Sequence, residues 1–272
     1  MDQQGTFYYA DPTVKDPAYF LCPAAADAHK RDPGRVPEQH HVADVRDYME
    51  SLSIDQQGLA FVRQQSATAD FYDDEEVRNT YYPEVQDLVM AQTGAKEVFV
   101  FDHNVRSKEL AGSDQTAQRA AVQNPVKSVH NDYTEVSGPQ RVRDFLPERA
   151  EELVNRRFAM INVWRPIVGP VLQTPFAVID AGSISKEDFI PIDLVYSDRV
   201  GQIYMVQNNP KHRWLYLSEM QHEEVMLLKC FDSDQSVPGR FTAHSAFELP
   251  VALDDEPLPS RQSIEVRTLV FY

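Results

Sequence analysis

The chain is short of cysteine, of positive charge and of long apolar runs, and each shortage excludes something. Only Cys22 and Cys230 occur in 272 residues, so no disulfide framework is implied. Neither has a Cys-x-x-Cys partner, which argues against thiol redox chemistry and zinc knuckles. Both read as free thiols of a reducing cytoplasm, Cys230 as a small core residue in the apolar run 225–231. Lys plus Arg number 26 against 42 Asp plus Glu, a formal charge of -16. That field repels phosphate backbones and anionic lipid heads, and no Lys/Arg cluster offsets it locally. Nucleic acid and membrane are therefore not expected partners. No run approaches the ~18–20 apolar residues of a membrane span. The first twenty residues lack the basic start and apolar stretch of a secretory signal. The expected location is cytoplasmic. Gly-x-Gly-x-x-Gly, P-loop, Gly-x-Ser-x-Gly and His-Glu-x-x-His motifs are missing too.

What is present is a normal balance for a folded chain, 42% hydrophobic and 25% charged. Five prolines punctuate residues 1–40, which read as strand fragments and loops wrapping something larger. Segments 42–52 and 82–94 are helix candidates. In the second, Val85, Leu88 and Val89 fall at i, i+3 and i+4 behind Pro83. A strand follows at 96–102, then a polar loop at 107–124. Beyond 126 the pattern predicts strands at 127–134, 158–165, 176–180, 192–196, 202–206, 213–217, 225–231, 240–246 and 263–271, with one helix at 147–156. Short strands with turn signals and no alternating helices point to a mainly β sandwich or jelly roll. One domain, 1–272, is expected, with 1–95 as an N-terminal helical and loop cap and 96–272 as the core.

The chemistry is expected at His130-Asn131-Asp132 and His244. Two imidazoles and one carboxylate make the facial triad of non-heme iron(II) oxygenases, with open positions left for a bidentate 2-oxo acid and O2. Residues i and i+2 of a strand point to one side. The short motif alone carries little, because chance supplies about one His-x-acid triplet in such a composition. Two exist, His130-x-Asp132 and His222-x-Glu224. In a jelly roll the pair and the distant His need several strands between them, about 40 residues or more. Asp132 and His244 have 111 residues between them, Glu224 and His244 only 19. The His222 pair reads as a solvated turn. His29, His40 and His41 read as surface residues and His212 as a loop or pocket residue. His103 is the best spare ligand.

A 2-oxoglutarate enzyme also needs an anchor for the distal carboxylate, and the planar fork of Arg suits it. Arg261, Ser263, Glu265 and Arg267 share one face of the last strand. Arg261 with Ser263, or Arg267, is the expected anchor, unless Glu265 pairs with Arg267. Arg165 is next in line. The charge of -16 favours a substrate that is uncharged or cationic near the mouth, or one met by a specific Arg.

These residues resemble the iron(II)/2-oxoglutarate-dependent hydroxylase/desaturase family of secondary metabolism. That family includes the bacterial cephem 7α-methoxylation component and fungal hydroxylase/desaturases. The resemblance runs from about Val98 to Tyr272. It rests on the segments at Phe101–Arg106, Val129–Thr134, Asn162–Ile167, Arg213–Tyr216, Lys229–Ser233, Thr242–Phe247 and Arg261–Arg267, specific together and not singly. It implies a double-stranded β-helix in which His130, Asp132 and His244 hold Fe(II). Glu248-Leu249 stands where the family usually has Asp after Ala-Phe. The implied activity is oxidation of a C–H bond in a small natural-product or amino-acid-derived substrate, by hydroxylation, desaturation or cyclisation. Tyr133, Thr134, Trp164, Arg165 and Trp214 are candidate pocket residues, and a homodimer is left open. The rivals are an iron cupin that does not use 2-oxoglutarate and a non-catalytic jelly-roll binding protein.

Overall fold

Fifteen strands carry the architecture in the computed structural model, which describes residues 1–22, 28–111, 122–249 and 258–272. In chain order they are β1 (Gln3–Tyr9), β2 (Ala18–Phe20), β3 (Val36–Asp44), β4 (Leu59–Arg63), β5 (Glu97–Ser107), β6 (Val122–Gln123), β7 (His130–Asn131), β8 (Phe158–Pro166), β9 (Phe176–Ile179), β10 (Phe189–Val195), β11 (Val200–Val206), β12 (Trp214–Tyr216), β13 (Glu224–Asp232), β14 (His244–Ala246) and β15 (Gln262–Phe271). One sheet runs β1-β3-β12-β9-β14-β7-β11-β10-β2, the other β4-β13-β8-β15-β5-β6. The order is far from sequential, as jelly-roll crossovers require. The helices are α1 (Asp74–Glu76), α2 (Tyr82–Thr93), α3 (Ser137–Phe145) and α4 (Ala150–Val154).

The main core lies between the sheets. Trp164, Leu228 and Leu269 come from the six-stranded sheet, Phe176, Val178 and Leu215 from the other. On the far face of the six-stranded sheet, α2 lays Val85, Leu88 and Val89 against Val163, Val225, Leu227 and Val266. That second cover explains why every residue of β8 and β13 is buried, where a sheet with one wet face would alternate. The outer face of the nine-stranded sheet has its own core, in which Trp214 stacks on Phe7 with ring centres 3.7 Å apart.

Several elements differ from expectation. Segment 42–52 is not a helix. Its start completes β3, which hydrogen-bonds on both edges, antiparallel to β1 and parallel to β12, and only a 3-10 turn, Met49–Ser51, follows. The N-terminal third therefore contributes four strands as well as α2. Segment 127–134 keeps only the two residues of β7 as strand. The polar helix α3 goes unforeseen because Val142 is its one large buried side chain. Of the loop expected at 107–124, the near end prolongs β5, β6 pairs with it in parallel, and 112–121 lie outside the described residues.

Candidate metal centre and its two flanking cavities

The centre forms where β7 and β14 pair. His130 faces His244 across the antiparallel ladder, with ring centres 4.4 Å apart. Between His130 and Asp132, the buried Asn131 points the other way. It donates to the carbonyls of Tyr133 (2.7 Å) and Cys230 (2.9 Å) and accepts from the amide of Thr242 (3.1 Å). One amide side chain thus pins the segments that carry all three acid and imidazole groups. The strand can end at Asn131 because side-chain bonds replace the ladder.

Each imidazole places Nδ1 against a main-chain carbonyl two residues back, His130 on Ser128 at 2.8 Å and His244 on Thr242 at 3.1 Å. A carbonyl only accepts, so Nδ1 carries the proton and Nε2 keeps its lone pair. Both Nε2 atoms face Asp132 Oδ1, at 3.5 and 4.0 Å. The three ligand atoms lie within 4.8 Å of one another, the one such group of three among the described residues. Asp132 Oδ2 is used elsewhere, accepting from Asn162 Nδ2 at 2.7 Å and Arg267 Nε at 3.3 Å. One oxygen is held and the other is presented. Burial alone would raise the Asp132 pKa, but Arg267 and the two imidazoles hold it well below the usual carboxylate range. Burial, aided by His130, pushes His244 down to about 3, so it stays a neutral donor. Two imidazoles and one carboxylate suit a divalent first-row metal with open positions.

The two candidate anchors differ. Arg267 is enclosed by acids: Asp132 at 3.3 Å, Asp102 at 3.0 Å and Glu265 at 3.6 Å. These outweigh the cost of burial and raise its pKa. Arg261, 4% exposed, has one hydrogen bond, from Nη1 to the Thr174 carbonyl at 2.8 Å, and its face lies 5.5 Å from the Trp164 ring centre. Its Nε and the Ser263 hydroxyl are buried without a partner. Burial, with Arg106 close by, pushes Arg261 down to about 9.

Asp132 and Arg267 stand between two cavities. The enclosed one, only about 20 Å³ as its side chains stand, so that a ligand larger than water must displace some of them, is bounded by Arg106, Phe176, Ser245, Arg261 and Glu265 together with His130 and His244. Arg106 joins it because it faces Ser263 across the β5–β15 ladder. Arg106 lies in the Phe101–Arg106 segment, and only strand pairing brings it to this cavity, a signal the sequence alone does not carry. The other cavity is a cleft of about 280 Å³ whose walls include Phe101, Tyr133, Phe145, Leu194 and Ile203.

The remaining candidates have structural employment. Trp164 packs on Phe176, which stacks on His244, so it borders the centre. Tyr133 lines the cleft. Thr134 bonds Gln202 and caps the start of α3. Trp214 belongs to the outer core, its indole N–H donating to the Tyr9 hydroxyl at 3.0 Å. Arg165 is fully buried on the carbonyls of Gln64 and His222, with Phe71 and Tyr81 beneath it. Its Nη1 is also buried without a partner, but it lines neither cavity beside the triad. His222 sits in a turn and contacts the Pro166 carbonyl, but Glu224 departs from the solvated-turn expectation: it is buried at the start of β13 and pairs with Arg46. His103 bonds the Tyr82 hydroxyl at 2.8 Å and stays out of the centre, while His212 meets Tyr9 and Asp188.

Comparison with known proteins agrees with this geometry. The family described as YDMC, Oxidoreductase/YMDC permease-like domain, matches residues 6–271. Alpha-ketoglutarate-dependent dioxygenase phiK of Fungal sp. (strain ATCC 74256) is 32% identical over 241 residues, 85% of this chain and 83% of that one. Hydroxylase/desaturase efuI of Hormonema carpetanum is 33% identical, over 85% and 82% of the two chains. Among solved structures, the iron and alpha-ketoglutarate-dependent endoperoxidase NvfI superposes with a TM-score of 0.85 at 26% identity, over 99% of this chain and 98% of that one. The double-stranded β-helix is thereby established, and the relatives disfavour both a 2-oxoglutarate-independent cupin and a non-catalytic binding protein. Among the described residues no helix is long and apolar enough to cross a membrane. The matching family model and relatives, with the triad at the crossing of β7 and β14, show that this chain belongs to the family of iron(II)/2-oxoglutarate-dependent dioxygenases.

Proposed function

We propose that His130 Nε2, Asp132 Oδ1 and His244 Nε2 hold Fe(II), and that the enclosed cavity receives 2-oxoglutarate with its distal carboxylate on Arg261 and Ser263. The observation that carries the reading is the pair of buried, unpartnered polar groups, Arg261 Nε and Ser263 Oγ, beside three converging ligand atoms. A buried guanidinium without an anion is costly, and a carboxylate would satisfy both groups at once. Arg106 supplies a second guanidinium from the facing strand. Arg267 is a positioning residue, because its donors hold Asp132 Oδ2 so that Oδ1 faces the imidazoles.

Bound iron, 2-oxoglutarate and O2 supply the oxidising power that removes hydrogen from a C–H bond, with succinate as co-product. The chain's own residues divide the work by side. Phe176 walls the enclosed cavity against water, with Trp164 packed on it from outside. The cleft brings a small natural-product or amino-acid-derived substrate to the Asp132 side. Relatives carry the names dioxygenase, hydroxylase/desaturase and endoperoxidase, so the outcome follows from how the cleft presents the substrate. Every group named comes from one chain, and a homodimer would leave this chemistry unchanged. The cytoplasm is the compartment that suits two free thiols. The test is anaerobic titration with Fe(II) and 2-oxoglutarate, watched for the metal-to-ligand charge-transfer band, then a substrate screen by succinate release. No band in the presence of both would overturn the assignment.

A further inference from the structure

The cleft on the Asp132 side has a rim of its own chemistry. Arg199 sits in the turn between β10 and β11, its guanidinium 4.3 Å from the ring centre of Tyr196. No acid pairs with it among the described residues. In a chain with 42 acids and 26 bases, Arg46, Arg78, Arg149, Arg157, Arg213 and Arg240 each have one within reach, whereas Arg199, like Arg35, Arg106, Arg165 and Arg261, does not. Across the rim, Arg141 of α3 commits only Nη1, to Asp144 at 3.2 Å. That ion pair is partly exposed and weak for that reason, so the other donors of the fork stay available. Of the cleft's two acids, Asp102 and Asp132, both contact Arg267. Arg199 is therefore unpaired positive charge on a strongly negative molecule, and Arg141 adds the donors that Asp144 leaves free. Below them the walls are apolar, with Phe101 stacked on Phe145 at 4.7 Å and Leu194 and Ile203 opposite.

We propose that the substrate carries a carboxylate, received by Arg199 and Arg141 at the rim, while its apolar body lies along Phe101, Phe145, Leu194 and Ile203 toward Asp132. The inference rests on the cleft being the substrate side of the iron centre. It also reconciles the charge of -16 with an anionic substrate, because two guanidiniums make a local funnel that the net charge hides. Tyr196 stacks under Arg199 and keeps the fork pre-oriented, which lowers the ordering cost of a bidentate contact.

The test uses the full chain loaded anaerobically with Fe(II) and 2-oxoglutarate. Matched acid and amide pairs are titrated against the charge-transfer band: 4-phenylbutanoate with 4-phenylbutanamide, decanoate with decanamide, and abietate with its amide. In at least one pair the acid should shift the band at roughly tenfold lower concentration than the amide, and added salt should shrink that advantage. Arg199→Gln and Arg141→Gln should each reduce the advantage and Arg199→Lys should keep part of it, each variant being read against the band of its own complex. Equal midpoints for acid and amide in every pair, no shift by any acid, or an advantage that survives both Gln changes would overturn the proposal. If the wild-type band never forms, the iron and 2-oxoglutarate reading has failed instead. A normal band without acid preference sinks only the carboxylate.

Discussion

Arg261, just before β15, and Arg267, inside it, share a strand face and are both largely buried, yet their surroundings are opposite. Across the ladders Arg267 faces Asp102 on β5 and Asn162 on β8, and the loop after β7 adds Asp132. Near Arg261 the neighbouring charge includes another cation, Arg106. One guanidinium is in contact with three acids; the other has Glu265 and Glu248 only at longer range and keeps a buried donor without a partner. The difference teaches that a basic residue in an apolar strand is not by itself a ligand site. What distinguishes a strut from a receptor is whether the facing strands already satisfy it.

The largest break of this contrast removes the group that both cavities share. Asp132→Ala should abolish iron uptake and bring succinate release to background, and His244→Ala should do the same through the imidazole side. Metal content by elemental analysis, with circular dichroism to confirm the fold, decides it. Near-normal iron in either variant would dissolve the proposed centre.

Next come the two arginines set against each other. Arg261→Ala should raise the 2-oxoglutarate requirement roughly 10–150-fold, the equivalent of a charge-assisted bond at about 1.5–3 kcal/mol, and leave iron affinity unchanged. Arg267→Ala should do the reverse. It should weaken iron binding about 10–100-fold, as loss of a group that orients a ligand does, and move the 2-oxoglutarate requirement far less. Spectroscopic titration of each component separates the two, and a swapped pattern would make Arg267 the anchor.

The same pair should also part company in stability without any ligand. Arg267→Met takes from Asp132 and Glu265 the cation that contacts both and should cost about 3 kcal/mol. Arg261→Met removes an unpartnered buried charge in exchange for one lost bond to Thr174, and should raise apo stability by about 1 kcal/mol. At roughly 2–4 °C per kcal/mol for a chain of this size, melting curves should move in opposite directions. Addition of 2-oxoglutarate and Fe(II) should then stabilise the wild type more than Arg261→Met.

That contrast marks where sequence reasoning reaches its end. His130, Asp132 and His244 are legible because period-2 alternation and strand spacing are written along the chain. Strands β8, β9, β13 and β15 are legible as short apolar runs between turn signals, and α2 from its i, i+3, i+4 pattern. Whether Arg261 or Arg267 is free depends on Asp102 and Arg106, more than 150 positions away, which only strand pairing brings near. The β3 segment misleads because its edges are covered by β1 and β12, and neither partner is visible locally. The α3 helix is nearly all polar, so its apolar period is too thin to read, and with it goes the rim arginine it carries.

The finest test asks whether the free end of the strand works as one receptor or as Arg261 alone. Ser263 Oγ has no partner and lies one strand step from Arg261 on the same face. If the two grip one carboxylate, Ser263→Ala should raise the 2-oxoglutarate requirement about 3–10-fold, less than Arg261→Ala because water can replace a hydroxyl but not a guanidinium. In the double variant the two losses should not add, since neighbours on one ligand are coupled. Strict additivity in a double-mutant cycle would place Ser263 outside the receptor and leave Arg106, across the ladder, as the second contact.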